Sequence, residues 1–328
     1  MRGRPGATVL ALAATTLAAF VASLLVGYVP IPVDEALAGL LGVGRWAPLV
    51  QEIRLPRTIL ALAVGASLGA SGAALQGLLR NPLAEPGVVG ISASAGLGAV
   101  IVLYFGLAAA FPLALPVAAM AGAGLAAALV LALARRGAGV LSLVLAGVAV
   151  SSLAVALTAL ALNLAPNPFA LSEMLFWLLG AVRDRSLDDV AIALPFIIAG
   201  IAMLLSAGRG LDALTLGEET AASLGISLQR LRAITIGGTA LAVGAAVSVA
   251  GTIGFVGLVV PHLLRPLVGH RPAALLVPSA LGGASLLAVA DIVVRLVPTT
   301  TELHLGVVTA LIGAPFFLAL LLSLERRT

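Results

Sequence analysis

The 328 residues predict an all-α polytopic membrane protein that crosses the bilayer about ten times. Three observations lead there. Apolar residues make up 61% of the chain and charged residues 10%, whereas a soluble globular chain carries about 25% charged residues. Apolar runs recur from end to end, each near the roughly 20 residues needed to cross a hydrocarbon core of about 30 Å. The runs are continuous and do not alternate with period two, which excludes a β-barrel. There are no cysteines, so disulfides and thiolate metal sites are excluded. All 18 basic residues are arginines.

The first span is expected over 8–28. Arg2 and Arg4 precede it, as in a secretory signal. Such a signal, however, has a shorter apolar region of about 7–15 residues and a small-residue cleavage site. This run matches a full span and reads as a retained helix. Further spans are expected at 57–79, 88–110, 113–134, 140–163, 189–208, 232–252, 254–270, 273–296 and 305–324. The amphipathic stretch 169–182 carries Phe176 and Trp177 and reads as an interfacial helix, since Trp sits well at headgroup level.

Arginine placement orients these spans. With the N-terminus inside, one side holds Arg2, Arg4, Arg80, Arg135, Arg136, Arg209, Arg230, Arg232, Arg265, Arg271, Arg326 and Arg327. The other holds Arg45, Arg54, Arg57, Arg183, Arg185 and Arg295. The balance of 12 against 6 puts both termini in the cytoplasm. Nine acids fall outside: Asp34, Glu35, Glu52, Glu173, Asp184, Asp188, Asp189, Asp291 and Glu302. Most of these charges read as solvated loop.

The chain also repeats itself. "ALAVGASLGASG" starts at Ala61 and "ALAVGAAVSVAG" at Ala240, 179 residues later. At that offset Gly72 meets Gly251, Pro82 meets Pro261 and Gly90 meets Gly269. The whole chain, 1–328, reads as one membrane domain with repeats over 54–163 and 231–324. An odd number of crossings separates the copies, so they are inverted, an architecture that places a transport pathway between them.

Between the second and third spans lies "RNPLAEPGVVG" (80–90); its partner is "LVVPHLLRPLVG" (258–269). Paired Gly/Pro-interrupted segments in two repeats point to a translocation site, because irregular backbone at membrane depth needs protein or water to satisfy it. The first stretch is expected to end one helix early on the cytoplasmic side and to start a short one facing the pathway. Candidate pathway residues are Asn81, Pro82, Gly90, Ser92, Ser94, Pro261 and His262. The small residues there, Ala93 and Gly96 included, either let a solute pass or let helices approach closely. His262 reads as a packed polar residue rather than a metal ligand, since no acid stands at ligand spacing and no HExxH occurs.

The stretch "RLPRTILALAVGASLGASGAALQGLLRNPLAEPGVVGISASAG" (54–96) resembles the signature of the FecCD family of ABC-importer permeases. The resemblance continues in "LVLAGVAVSS" (143–152), "FWLLGAV" (176–182), "LGEETAASLGI" (216–226), "GFVGLVVPHLLRPLVGHR" (254–271) and "ADIVVRLVPTTTELHLGVVTALIGAPFFLALL" (290–321). It implies a type II ABC importer permease of ten helices in the bacterial inner membrane. The implied assembly is a homodimer with two cytoplasmic ATPase subunits and a periplasmic substrate-binding protein. The implied cargo is a metal chelate: an iron–siderophore first, with haem and cobalamin open. No cofactor is expected on this chain, ATP and Mg²⁺ belonging to the ATPase, and nucleic acid is not an expected partner. The residues agree on one point. A P-loop needs a Lys to reach the phosphates, and this chain has none, so the chain is expected not to be an enzyme.

The resemblance also implies site residues. The stretch 210–232 corresponds to cytoplasmic coupling helices, with Leu216, Gly217, Glu218, Glu219, Ala222, Leu224 and Gly225 at the ATPase. The acids suit a helix N-terminus and Gly225 a C-cap. Arg54, Arg57 and Arg295 match arginines that meet carboxylates of the binding protein, a role suited to the guanidinium fork. Snorkelling of Arg54 and Arg57, and an i,i+4 pair of Arg295 with Asp291, are competing readings. The cytoplasmic gate falls at Gly139, Val140, Leu141 and Ser142, where some relatives have adjacent hydroxyls and this chain has only Ser142. The rival function is an ion-coupled secondary transporter using Asp291 as its coupling acid.

Overall fold

A computed structural model describes residues 5–134, 139–297 and 303–325. The expectations that involve Arg2, Arg4, Arg135, Arg136, Glu302, Arg326 and Arg327 lie outside the described residues. The described chain is helical without a strand. In order come α1 (Pro5–Leu25), α2 (Val33–Leu40), a π-helical turn (Leu49–Arg54) continuous with α3 (Leu55–Leu79), α4 (Ile91–Tyr104), α5 (Leu107–Ala110), α6 (Ala114–Ala134), α7 (Val140–Asn163) and α8 (Pro168–Leu178). Then follow α9 (Leu187–Ser206), α10 (Gly208–Leu214), α11 (Glu218–Ser223), α12 (Leu228–Ala250), α13 (Val256–Val268), α14 (Pro272–Leu296) and α15 (Leu305–Glu325).

Seven helical stretches among the described residues are long and apolar enough to cross a membrane: Gly6–Leu25, Leu49–Leu79, Ala114–Ala134, Val140–Asn163, Leu187–Ser206, Leu228–Ala250 and Pro272–Leu296. The other three expected spans fall on α4, α13 and α15, whose apolar helical stretches are shorter. The expected span 88–110 is corrected to two helices. It begins only at Ile91, and Gly106, with φ 65°, breaks it before α5. The stretch 169–182 forms α8, capped by Asn167, whose side chain accepts from the Ala170 amide. Phe169 is exposed there, while Trp177 packs against the core.

α3 and α12 form the centre, 83% and 78% buried, where α1 is 17% buried. Small residues permit this. Gly65 faces the backbone of Gly283, Gly69 that of Ser279 and Gly72 that of Gly257. A methyl group added at Gly72 would lie 1.9 Å from the Gly257 carbonyl oxygen. Close backbone approach through small residues is how helices associate where apolar burial offers no bias between lipid and protein. The packing is reciprocal: α3 packs along α14 and against α13, and α12 packs along α6 and against α4. α1 lies against α14. α10 and α11 mark one end of the bundle; α2, α5 and α8 lie toward the other.

Candidate translocation segment and coupling surface

α3 stops at Leu79 because Arg80 takes up left-handed backbone, φ 46°. Asn81 Oδ1 then accepts from the Leu83 amide at 2.9 Å, closing a turn. From there the chain climbs back along the bundle. Gly90, φ 82°, lies against Ser151 and Val150, and Ser151 Oγ donates to the Gly87 carbonyl at 3.3 Å. Ser151 is near the middle of α7, so residues 86–90 are irregular backbone at half depth. Gly90 then opens the short helix α4.

A second irregular segment, 251–255, precedes α13. Gly251 has φ 68° and Phe255 has φ 67°, rare for a residue with a side chain. The two segments meet. Glu85 Oε2 accepts from the Phe255 backbone N–H at 3.2 Å, and Pro86 packs on Gly257. Each broken helix thereby supplies what the other lacks, an acceptor for an amide and a donor for a half-buried carboxylate.

The expected pathway residues do not converge on one cavity. Asn81 and Pro82 line a recess where α3, α13 and α14 end beside α10. Ser94 lines an apolar cleft of about 470 Å³ between α4, α6 and α7, and its carbonyl faces Gly122. Ser92 is half-buried in the first turn of α4. Pro261 is buried in α13. His262 stands edge-on to Phe316 of α15, ring centres 5.8 Å apart, with Nδ1 lacking a hydrogen-bond partner. Gly139, φ 127°, caps α7, with Val140, exposed Leu141 and Ser142 in its first turn.

The loop between α9 and α12 is built as a rigid platform. Gly217, φ 103°, and Gly225, φ 82°, occupy conformations that disfavour other residues and bracket α11. Glu218 takes two hydrogen bonds from Arg232, both 3.1 Å, which ties α11 to α12. Asp212 accepts from Arg271 at 2.7 Å and from the Ala273 amide at 2.9 Å, which ties α10 to α14. Ala221 is buried beneath, while Glu219, Ala222 and Gly225 are exposed. On this platform Leu216 and Leu224 stand 63% and 62% exposed.

At the other end, the three arginines expected to meet a partner's carboxylates make bonds within the chain. Arg54 donates to the carbonyls of Leu24 (2.8 Å), Leu25 (2.9 Å) and Val29. Arg295 donates to the carbonyls of Ser23 (2.9 Å) and Val26 (2.7 Å) and to Asp291 (3.0 Å). Arg57 grips Asp291 through Nη2 at 2.8 Å and Nε at 3.0 Å. The physical reason is that the last carbonyls of α1 have no partner within the helix, and guanidiniums carry enough donors to take them. The Asp291 carboxylate, 1% exposed, is held between two cations. Both of its oxygens are taken up by guanidinium N–H groups.

A profile of the FecCD transport family matches residues 15–323. This chain belongs to the FecCD family. The FecCD relatives include the cobalamin import permease BtuC of Halobacterium salinarum, 40% identical over 85% of this chain and 74% of that protein. The Fe(3+)-citrate import permease YfmE of Bacillus subtilis is 38% identical over 97% of this chain and 95% of its own. The vitamin B12 import permease BtuC of Vibrio cholerae is 44% identical over 83% and 82%. A solved inward-facing ABC transporter of metal-chelate type superposes with a TM-score of 0.84 at 30% identity, over 97% of this chain and 99% of that one. The fold is that of a type II importer permease. In this FecCD permease, sequence reasoning missed Glu85. Its signal was an acid between two prolines in an interrupted stretch at membrane depth.

Proposed function

We propose that this FecCD permease is the membrane-spanning subunit of an ABC importer that carries a metal chelate from periplasm to cytoplasm. The observation that carries the reading is the pair of exposed leucines, Leu216 and Leu224, on a platform clamped by two ion pairs. Exposed apolar side chains on a rigid mount suit insertion into a partner. The partner is an ATPase subunit, since this chain has no Lys for a phosphate-binding loop; ATP and Mg²⁺ are assigned to it.

Two copies of the permease act with two ATPases, both termini face the cytoplasm, and a periplasmic binding protein delivers the cargo. The repeats 54–163 and 231–324 are inverted copies, a reading supported by the reciprocal packing of α3 and α12. The cargo is an iron chelate or a corrinoid, the two classes named for the relatives above. At the outer face Arg57, with its side chain 11% exposed, is the arginine a docking carboxylate reaches first.

Co-expression with an ABC ATPase subunit and purification in detergent tests this. A complex with two copies of each chain is expected. Leu216→Ser with Leu224→Ser should release the ATPase and abolish ATP-driven uptake without lowering thermal stability, because both side chains are exposed. Retained ATPase and unchanged uptake in that variant would sink the coupling assignment.

A further inference from the structure

The recess beside Asn81 has a volume of about 320 Å³ and no part in the function proposed above. Its polar lining comes from Gln76, Arg80, Asn81, Thr215, Arg265 and His270, without a carboxylate. Several arginines elsewhere in the described chain are tied to acids: Arg57 and Arg295 to Asp291, Arg232 to Glu218, Arg271 to Asp212. The two arginines of the recess are not. Arg265 is bonded to the neutral amide oxygen of Gln76. Arg80 is exposed, and no acid of the described chain pairs with it. Asp212, three residues before Thr215, is already bound to Arg271 and the Ala273 amide. Two uncompensated guanidiniums thus converge on one recess, with an amide and a ring beside them.

We propose that this recess binds a phosphate-bearing anion. The planar fork of Arg matches phosphate oxygens in pairs of charge-assisted hydrogen bonds. The volume is larger than one carboxylate needs. The depth suits the same chemistry, because the recess lies at the cytoplasmic ends of α3, α13 and α14, where basic pockets between helices take anionic headgroups. The phosphate comes from an anionic phospholipid or from free phosphate in the cytoplasm. Thr215 lines the recess and precedes Leu216, so an occupied recess sits against the base of the coupling platform.

Native mass spectrometry of the full-length permease in detergent, titrated with phosphatidylglycerol and with phosphatidylcholine, reads the first source. Calorimetry of the lipid-depleted protein with inorganic phosphate reads the second. Arg80→Gln should weaken phosphatidylglycerol retention about tenfold or more, the scale of one charge-assisted bond, and Arg80→Lys should restore part of it. Arg230→Gln, an exposed arginine of α12 outside the recess, should change nothing. Phosphate binding lost in Arg80→Gln without a preference for phosphatidylglycerol supports the site with free phosphate as its ligand. Equal binding of both probes by the unaltered protein and Arg80→Gln overturns the proposal, as does an equal loss in Arg230→Gln, which reports general surface charge. None of these readouts needs the ATPase, so failure here leaves the transport reading standing.

Discussion

The backbone N–H of Phe255 donates to Glu85 Oε2 at 3.2 Å, a single bond between residues 170 apart in the chain. It joins two irregular segments, 80–90 and 251–255, where the helices of this permease are broken. A carboxylate at membrane depth is costly, and so is an amide with no acceptor. The bond gives the amide its acceptor and the carboxylate one donor, and it pins residues 80–90 to the turn before α13.

Glu85→Leu should therefore destabilise the protein by about 0.5–1.5 kcal/mol, the net worth of one hydrogen bond lost at a half-buried site. Glu85→Gln, which keeps an acceptor oxygen, should cost less. Thermal denaturation in detergent checks both; two variants as stable as the parent would show that the bond holds nothing.

Gly72→Ala should lower folded yield and stability by about 1–3 kcal/mol, the range for overpacking a filled core. The new methyl group meets the Gly257 carbonyl oxygen at 1.9 Å, and backbone cannot swing aside. Gly124→Ala is the control, since a methyl group there has no neighbour within 4 Å. Size-exclusion yield and melting temperature separate the two.

Asp291→Asn should cost about 3–5 kcal/mol, as expected when one member of a buried ion cluster is removed and the others are left uncompensated. Two guanidiniums are stranded by it. Arg57→Gln combined with Asp291→Asn should cost less than the sum of the single changes, because the pair shares one interaction. A double-mutant cycle by thermal or denaturant unfolding measures the difference; strict additivity would mean that the contact carries no coupling energy.

The outer arginines should divide by task. Arg54→Gln should lower stability by freeing the carbonyls of Leu24 and Leu25 at the end of α1. Arg57→Glu should weaken binding-protein docking, and docking of the parent should fall with salt as partly exposed charges are screened. Surface plasmon resonance with the permease in nanodiscs, at two salt concentrations, checks the second. Unchanged affinity in Arg57→Glu would confine all three arginines to holding the bundle together.

Much of the fold was legible because its signals are local. A run of apolar residues such as 140–163 reports a crossing by itself, and α7 spans Val140–Asn163 as read. The short helix α11 was legible for the same reason: Gly217 and Gly225 bracket it, and its acids lie in the first turn. The letter match between the two proposed repeats does not carry over to positions in the helices. Gly72 and Gly251 align at an offset of 179 residues, yet Gly72 sits inside α3 against Gly257 and Gly251 ends α12 with φ 68°. A low-complexity run of Ala, Gly and Val matches itself in several registers, so matching letters did not mean matching positions.

By itself the sequence determined that this chain is a helical membrane permease with broken helices. Hydrophobic length, Gly/Pro punctuation and the absence of Lys carry that much without any tertiary contact. Only the tertiary structure decided whom each charge meets. Arg54 and Arg295 turn to the end of α1, Asp291 is shared by Arg57 and Arg295, Glu85 reaches Phe255, and Arg80 and Arg265 are left facing a common recess without an acid. In a medium of low dielectric every buried ion takes the partner that packing brings within reach. That choice depends on helices far apart in the chain, which no local pattern records.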